Sequence, residues 1–227
     1  MSTIVAPDLA ARVADVRARI RAAAPDPDRV TLVAVTKGFG AGVVRDAVAA
    51  GLADVGESYV QELVAKAGEL DAAGGPAPRW HAIGRLQRNK VRKAAPLVAL
   101  WHSVDRAELG AEIARWATGA AVLVQVNTAG EAAKGGCAPA EAPALVEDLV
   151  TRGLDVRGLM AMAPAGPPEG ARQVFSAARD LRDRLGLAEL SMGMTDDYEV
   201  ALREGATIVR VGRGLFGPRP VAGGARH

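Results

Sequence analysis

Eight short strand-like runs, interleaved with helix-period segments, are what most restricts how this chain can fold. The runs fall at 31–36, 53–56, 80–83, 100–103, 121–126, 156–160, 189–191 and 207–211. Between them, the segments at 41–50, 58–73, 86–94, 106–117, 139–152, 168–186 and 195–204 read as helices. Strands alternating with helices build parallel sheets covered on both faces. Eight such units in 227 residues predict an α/β fold, a single (β/α)8 TIM barrel. An open doubly wound sheet is the alternative, because the runs at 53–56 and 189–191 are short. An additional N-terminal helix is expected over 8–23, where Leu9, Val13, Val16 and Ile20 recur at helical spacing before Pro25 and Pro27. Asp105 and Thr195 stand where they could cap two helices. No linker divides the chain, so 1–227 reads as one domain, with 218–227 a loose C-terminal tail.

Composition narrows the function classes. Apolar residues make up 49% of the chain, which marks it as globular. A net charge of +2 is too small for a nucleic-acid-sized basic face. The lone cysteine, Cys137, excludes an intramolecular disulfide and fits a reducing compartment. Asp8, Arg12, Asp15 and Arg17 interrupt the N-terminus early, unlike a secretion signal. No apolar run approaches the roughly 18 residues of a membrane span. The expectation is a cytoplasmic chain, monomeric by default, with neither nucleic acid nor membrane as a partner.

Lys37 closes the first run, after Leu32-Val33-Ala34-Val35-Thr36. In a barrel the C-terminal strand ends carry the active site. A lysine there, among apolar neighbours, loses part of its hydration and becomes a nucleophilic amine. The plainer reading is a solvated lysine at the start of a loop. Phosphates in such barrels sit at the loops after strands 7 and 8, here Ser191-Met192-Gly193-Met194-Thr195 and Gly212-Arg213-Gly214. Glycines let backbone N–H groups approach an anion, although ordinary strand–helix turns use glycine too. Closure would make the first and last strands neighbours. An imine-forming lysine would then face a phosphate-holding loop, a pairing that points to pyridoxal 5′-phosphate (PLP).

Other residues weigh less. Arg210 interrupts the apolar strand Val209–Val211, and needs a partner there or a place at the barrel mouth. Asn127 and Lys134 bracket another strand-end loop, with Lys134 a second cation near the mouth or a surface lysine. His81 reads as a satisfied core histidine, and Cys137 as a bystander. No metal-ligand spacing occurs.

Taken together, several segments resemble the pyridoxal-phosphate homeostasis proteins, a family similar to the N-terminal barrel of alanine racemase. They include Val33-Ala34-Val35-Thr36-Lys37, Gly56-Glu57-Ser58, Trp80-His81-Ala82-Ile83-Gly84, Leu86-Gln87-Arg88-Asn89-Lys90, Gln125-Val126-Asn127, Gly158-Leu159-Met160, Ser191-Met192-Gly193-Met194-Thr195-Asp196 and Val209-Arg210-Val211-Gly212. The resemblance implies PLP held as an aldimine of Lys37, with Arg210 near the pyridine nitrogen. It implies a binding set of Lys37, Ser58, Asn127, Met160, Ser191, Gly193, Thr195, Arg210, Gly212 and Arg213. Ser58 replaces the usual Asn, and Arg213 the usual hydroxyl residue. Members are described as regulators or carriers of PLP without an established reaction, so the implied role is intracellular PLP homeostasis, with no catalytic residue and apo-PLP-enzymes as acceptors. A racemase-like enzyme is the alternative. It would need a second acid/base, which alanine racemase takes from an additional domain, and the chain ends soon after its eighth strand. An arginine at the ring nitrogen also weakens the electron sink. A Schiff-base aldolase fits the barrel and the lysine but not the matched segments.

Overall fold

The computed structural model describes residues 6–75, 77–131 and 135–219. Its parallel strands are β1 Thr31–Val35, β2 Asp54–Glu57, β3 Arg79–Ala82, β4 Val98–Val104, β5 Ala121–Gln125, β6 Asp155–Met160, β7 Glu189–Ser191 and β8 Ile208–Val211. They close into a barrel in sequence order, which removes the open-sheet alternative. The seam pairs Leu32 with Val209 and Val33 with Arg210.

Alternation along each strand builds two cores. Inside lie Val33, Leu100, Leu123, Met160 and Ile208. Outside, Ala34, Trp101, Val122, Val124, Leu159, Leu190, Val209 and Val211 belong to the layer shared with the helices. In β8 this sends Val209 and Val211 outward and Arg210 inward.

The helices are α1 Ala6–Ala23, α2 Ala41–Ala49, α3 Val60–Ala72, α4 Arg88–Ala94, α5 Ala107–Trp116, α6 Ala142–Thr151, α7 Arg172–Arg184, α8 Tyr198–Arg203 and α9 Arg213–Phe216. The sequence did not lead us to expect α9, which is a single turn. A 3₁₀ turn over Pro168–Ala171 opens the segment expected to be all helix from 168. The extra helix α1 buries Leu9, Val13, Val16 and Ile20 and packs on α2, α8 and α9, covering the outside of the β8–β1 seam.

Two expected caps are corrected. Arg106 and Asp197, not Asp105 and Thr195, occupy the N-cap positions of α5 and α8, and neither bonds the helix through its side chain. Asp105 instead pairs with Arg106, and the Thr195 hydroxyl accepts from the Gly214 N–H at 3.3 Å. Among the described residues, no helix is long and apolar enough to cross a membrane.

Candidate functional site

A cavity of about 580 Å³ opens at the C-terminal ends of the strands. That volume lies in the range of small-molecule sites, about 300–1,000 Å³. Lys37, Ser58, Thr195, Arg210, Gly212 and Arg213 line it, six of the ten residues expected to bind. Phe39, Ile83, Met162 and Met194 supply apolar wall. Arg85 and Arg219 add two cations that sequence reasoning missed.

Lys37 stands just past β1, half-buried. Desolvation lowers its pKa, helped by the fields of Arg219 and Arg210 and opposed by Glu57 and Glu62. The amine therefore gives up its proton more readily than an ordinary lysine and becomes a better nucleophile. Both residues beside it are anchored. Thr36 Oγ1 donates to Glu57 Oε1 at 2.5 Å, and the Gly38 N–H donates to Glu62 Oε2 at 2.8 Å. The buried Lys66 of α3 links these anchors, donating to Glu57 Oε1 at 2.6 Å, to the Thr36 carbonyl at 2.9 Å and to Glu62 Oε2 at 3.2 Å. All three ammonium protons are used. Burial raises the Glu57 carboxyl, while the bonds from Lys66 and Thr36 pull it back.

Arg210 is 4% exposed and reaches the cavity floor. Burial lowers its pKa to about 10, with the field of Asp197 opposing, so it stays charged at neutral pH. Its Nη1 donates to Ser191 Oγ at 2.5 Å and its Nη2 to the Ala161 carbonyl at 3.2 Å. No carboxylate bonds it directly among the described residues, so its charge faces the cavity.

The loops after β7 and β8 meet at the opposite wall. A Cβ at Gly212 would stand 3.2 Å from the Val35 carbonyl, so only a bare backbone passes there without crowding. The first N–H groups of α9 follow, and such groups have no partner within their own helix. Arg213 points to the mouth, where it pairs with Asp196 at 2.5 Å. These features suit PLP: an amine for its aldehyde, a buried guanidinium for its ring nitrogen, and a bare turn beside an exposed cation for its phosphate.

Four expected ligand residues do not line the cavity. Ser191 is fully buried beneath Arg210, where its hydroxyl is already engaged. Met160 belongs to the interior cluster, and Met162 takes the wall position instead. Gly193 has φ +88°, and a Cβ there would come 2.6 Å from Ala201 Cβ, so its bare face serves α8. Asn127 is tied to its own loop, donating to the Glu131 carbonyl at 2.9 Å. Lys134 lies outside the described residues. Pro218 and Arg219, expected to be loose, lie against the cavity, while 220–227 are outside the described residues. Burial pushes the Cys137 thiol up to about 11, which keeps it inert at neutral pH.

His81 is a satisfied core residue, as its sequence context implied. Its Nε2 lies 3.0 Å from Asp54 Oδ1 and its Nδ1 2.8 Å from His102 Nε2. Burial pushes the Asp54 carboxyl up, but the bonds from His81 and Arg79 outweigh it and hold the pKa at about 2 against 3.8. A depressed pKa stabilises the fold above the unfolded value, and that stability is lost as pH falls through the folded one. Asp54→Asn should therefore cost about 2 kcal/mol at pH 7. In urea titrations the deficit should shrink between about pH 4 and pH 2. A loss unchanged with pH would mean that geometry, not charge, is at stake.

The alanine racemase N-terminal domain family matches residues 8–220. The pyridoxal phosphate homeostasis protein of Pseudomonas aeruginosa is 45% identical over 96% of this chain and 97% of its own length. That of Deinococcus radiodurans is 46% identical over 82% of this chain and 88% of its own. The structure of PipY from Synechococcus elongatus with PLP bound has a TM-score of 0.82 at 36% identity, covering 92% of this chain and all of that one. Alanine racemase of Clostridium difficile shares the fold alone, with a TM-score of 0.71 at 15% identity over 95% of this chain and 58% of the racemase.

Proposed function

This chain belongs to the pyridoxal phosphate homeostasis protein family, and from that we propose that it binds PLP at the barrel mouth, covalently through Lys37, and serves intracellular PLP homeostasis without catalytic turnover. The observation that carries the reading is one cavity holding Lys37, Arg210 and the Gly212 turn together. Bound there, the cofactor supplies a reactive aldehyde and an electron-withdrawing ring. Lys37 would be the group that holds the aldehyde, its amine having a proton loosened by burial. Arg210 donates to the ring nitrogen and keeps its own proton, since a guanidinium does not give one up at neutral pH. Thr195, Gly212 and Arg213 would hold its phosphate, with the Arg213 guanidinium, now paired with Asp196, supplying positive charge beside it. Phe39, Ile83 and Met162 would shield that attachment from water, and a reversible attachment suits a carrier. The barrel works as a single domain over 1–227 and as a monomer, in the cytoplasm, handing PLP to apo-enzymes that require it.

The non-catalytic reading rests on Arg210. A ring nitrogen that accepts from a guanidinium stays unprotonated and is a weaker electron sink. The expected result, on prolonged incubation of the loaded protein with L-alanine, D-alanine and other amino acids, is unchanged chirality by chiral product analysis. Turnover near ~1 s⁻¹, the low end of ordinary enzyme rates, would favour a racemase-like enzyme instead.

Gly212→Val tests the phosphate placement. Extra methyls beside the Val35 carbonyl should push the turn away and weaken PLP by about tenfold or more, roughly 1.4 kcal/mol. Pyridoxal, which lacks the anion, should lose far less. Calorimetry with both ligands decides, since equal losses would move the phosphate elsewhere.

A further inference from the structure

A file of polar side chains crosses the barrel interior beside Val33, Leu100, Leu123, Met160 and Ile208, and PLP binding as described uses only its last member. Asp54 opens β2 at the N-terminal end of the barrel, where Arg79 Nε donates to its Oδ1 at 2.7 Å. His81 and His102 follow, from β3 and β4. His102 Nδ1 lies 2.9 Å from Ser191 Oγ, which bonds Arg210 in turn. Asp54, His81, His102, Ser191 and Arg210 are each at most 9% exposed.

The end groups decide where every proton sits. A guanidinium only donates, so Ser191 Oγ accepts from Arg210. That leaves the serine proton free to go to a bare His102 Nδ1, the direction that the carboxylate at the other end of the file requires. His102 therefore carries its proton on Nε2 and gives it to His81 Nδ1. His81 likewise carries Nε2–H and gives it to Asp54, whose carboxylate only accepts. The reverse direction would set a bare His81 nitrogen against a carboxylate. Burial, with the field of Arg210 adding to it, keeps the His102 pKa well below its ordinary value, in agreement with a neutral ring. The arrangement satisfies each group once, running one way from the cation to the anion.

We propose that Ser191, His102, His81 and Asp54 are positioning residues for Arg210, a one-way hydrogen-bond file that fixes the guanidinium so that its remaining N–H groups aim at the ring nitrogen of the bound pyridine. This rests on the reading that Arg210 meets that nitrogen. A long arginine side chain ordered in advance loses less freedom when the ligand arrives. The file also explains why Ser191, the last residue of β7, lies buried under an arginine rather than in the cavity.

Two measurements test it. In the unloaded protein, long-range ¹H–¹⁵N spectra should show both histidines as neutral Nε2–H tautomers, with His102 unmoved through the pH range where an ordinary histidine titrates. An Nδ1–H tautomer at either ring overturns the file. In the second, PLP and an analogue with C–H in place of the ring nitrogen are titrated into the unaltered protein and into Ser191→Ala, a deletion of one buried hydroxyl. PLP affinity should fall about tenfold, as for a lost bond to a charged group, and analogue affinity should not change. Equal losses for both phosphorylated ligands would make Ser191 a phosphate ligand or a packing residue and overturn the positioning role, as would no loss for PLP. His102→Phe should reproduce the split if it folds. Failure of the unaltered protein to bind PLP at all sinks the cofactor reading itself, and the positioning role with it.

Discussion

A Lys37→Ala variant is expected to lose the near-visible absorbance of the loaded protein completely and to take up no label on borohydride reduction. In the unaltered protein, peptide mapping should find the reduced adduct on Lys37. The reason is placement. Lys37 shares the cavity with Arg210 and the Gly212 turn, and burial has loosened its proton. Thr36 and Gly38, on either side, are anchored to Glu57 and Glu62, so the amine emerges from a fixed point of backbone. Weak non-covalent binding should survive in the variant, because the ring and phosphate contacts remain. A label found mainly on Lys134 or another lysine would sink the assignment.

The second large effect is on stability. Lys66→Met should destabilise the fold by about 3–5 kcal/mol, the usual result of removing one partner of a buried ion pair. Glu57 is 2% exposed, and one of its oxygens, Oε2, already has no partner. Methionine fills similar space, so lost packing alone cannot account for a loss of that size. The pH dependence separates the causes. A carboxylate left alone in the core has its pKa raised, so the penalty is full above that value and fades as pH falls through it. Urea titrations at pH 8 and pH 5 should therefore give a smaller deficit at pH 5. A deficit independent of pH would show that the charge on Glu57 is not its source. The same variant should weaken PLP binding, because Lys66 also holds the Thr36 carbonyl beneath Lys37.

Much of this was legible in the sequence, for identifiable reasons. The runs at 31–36, 121–126 and 207–211 are long and rich in β-branched residues, and they became β1, β5 and β8 within a residue. Alternation in Ile208-Val209-Arg210-Val211 fixed the inward face of Arg210 once β8 was placed. The phosphate-side residues were harder. Gly193 and Gly212 look alike in sequence, yet one leaves room for α8 and the other for Val35, a difference set by tertiary packing. Met160 and Met162 stand two apart beside β6, and only the barrel's depth decides which is wall and which is core.

Two missed features had signals. Lys66 falls on the buried face of α3 with Val60, Leu63 and Leu70, where a charge demands a partner. Asp54, His81 and His102 take inward positions on three successive strands, where buried polar groups need partners. Arg219 carried no signal, because the Pro- and Gly-rich segment around it resembles a loose end.

The seam between β1 and β8 has a kinetic consequence. Its two edges come from opposite ends of the chain, so joining them is the pairing with the highest loop-closure cost in the fold. The ligand site straddles that seam. An incompletely folded or partly synthesised chain offers one wall only, and cannot capture a reactive aldehyde before the ring is shut. Once shut, a ligand bonded to Lys37 on one edge and held by Arg210 on the other would act as a clasp, which opening of the ring would first have to break.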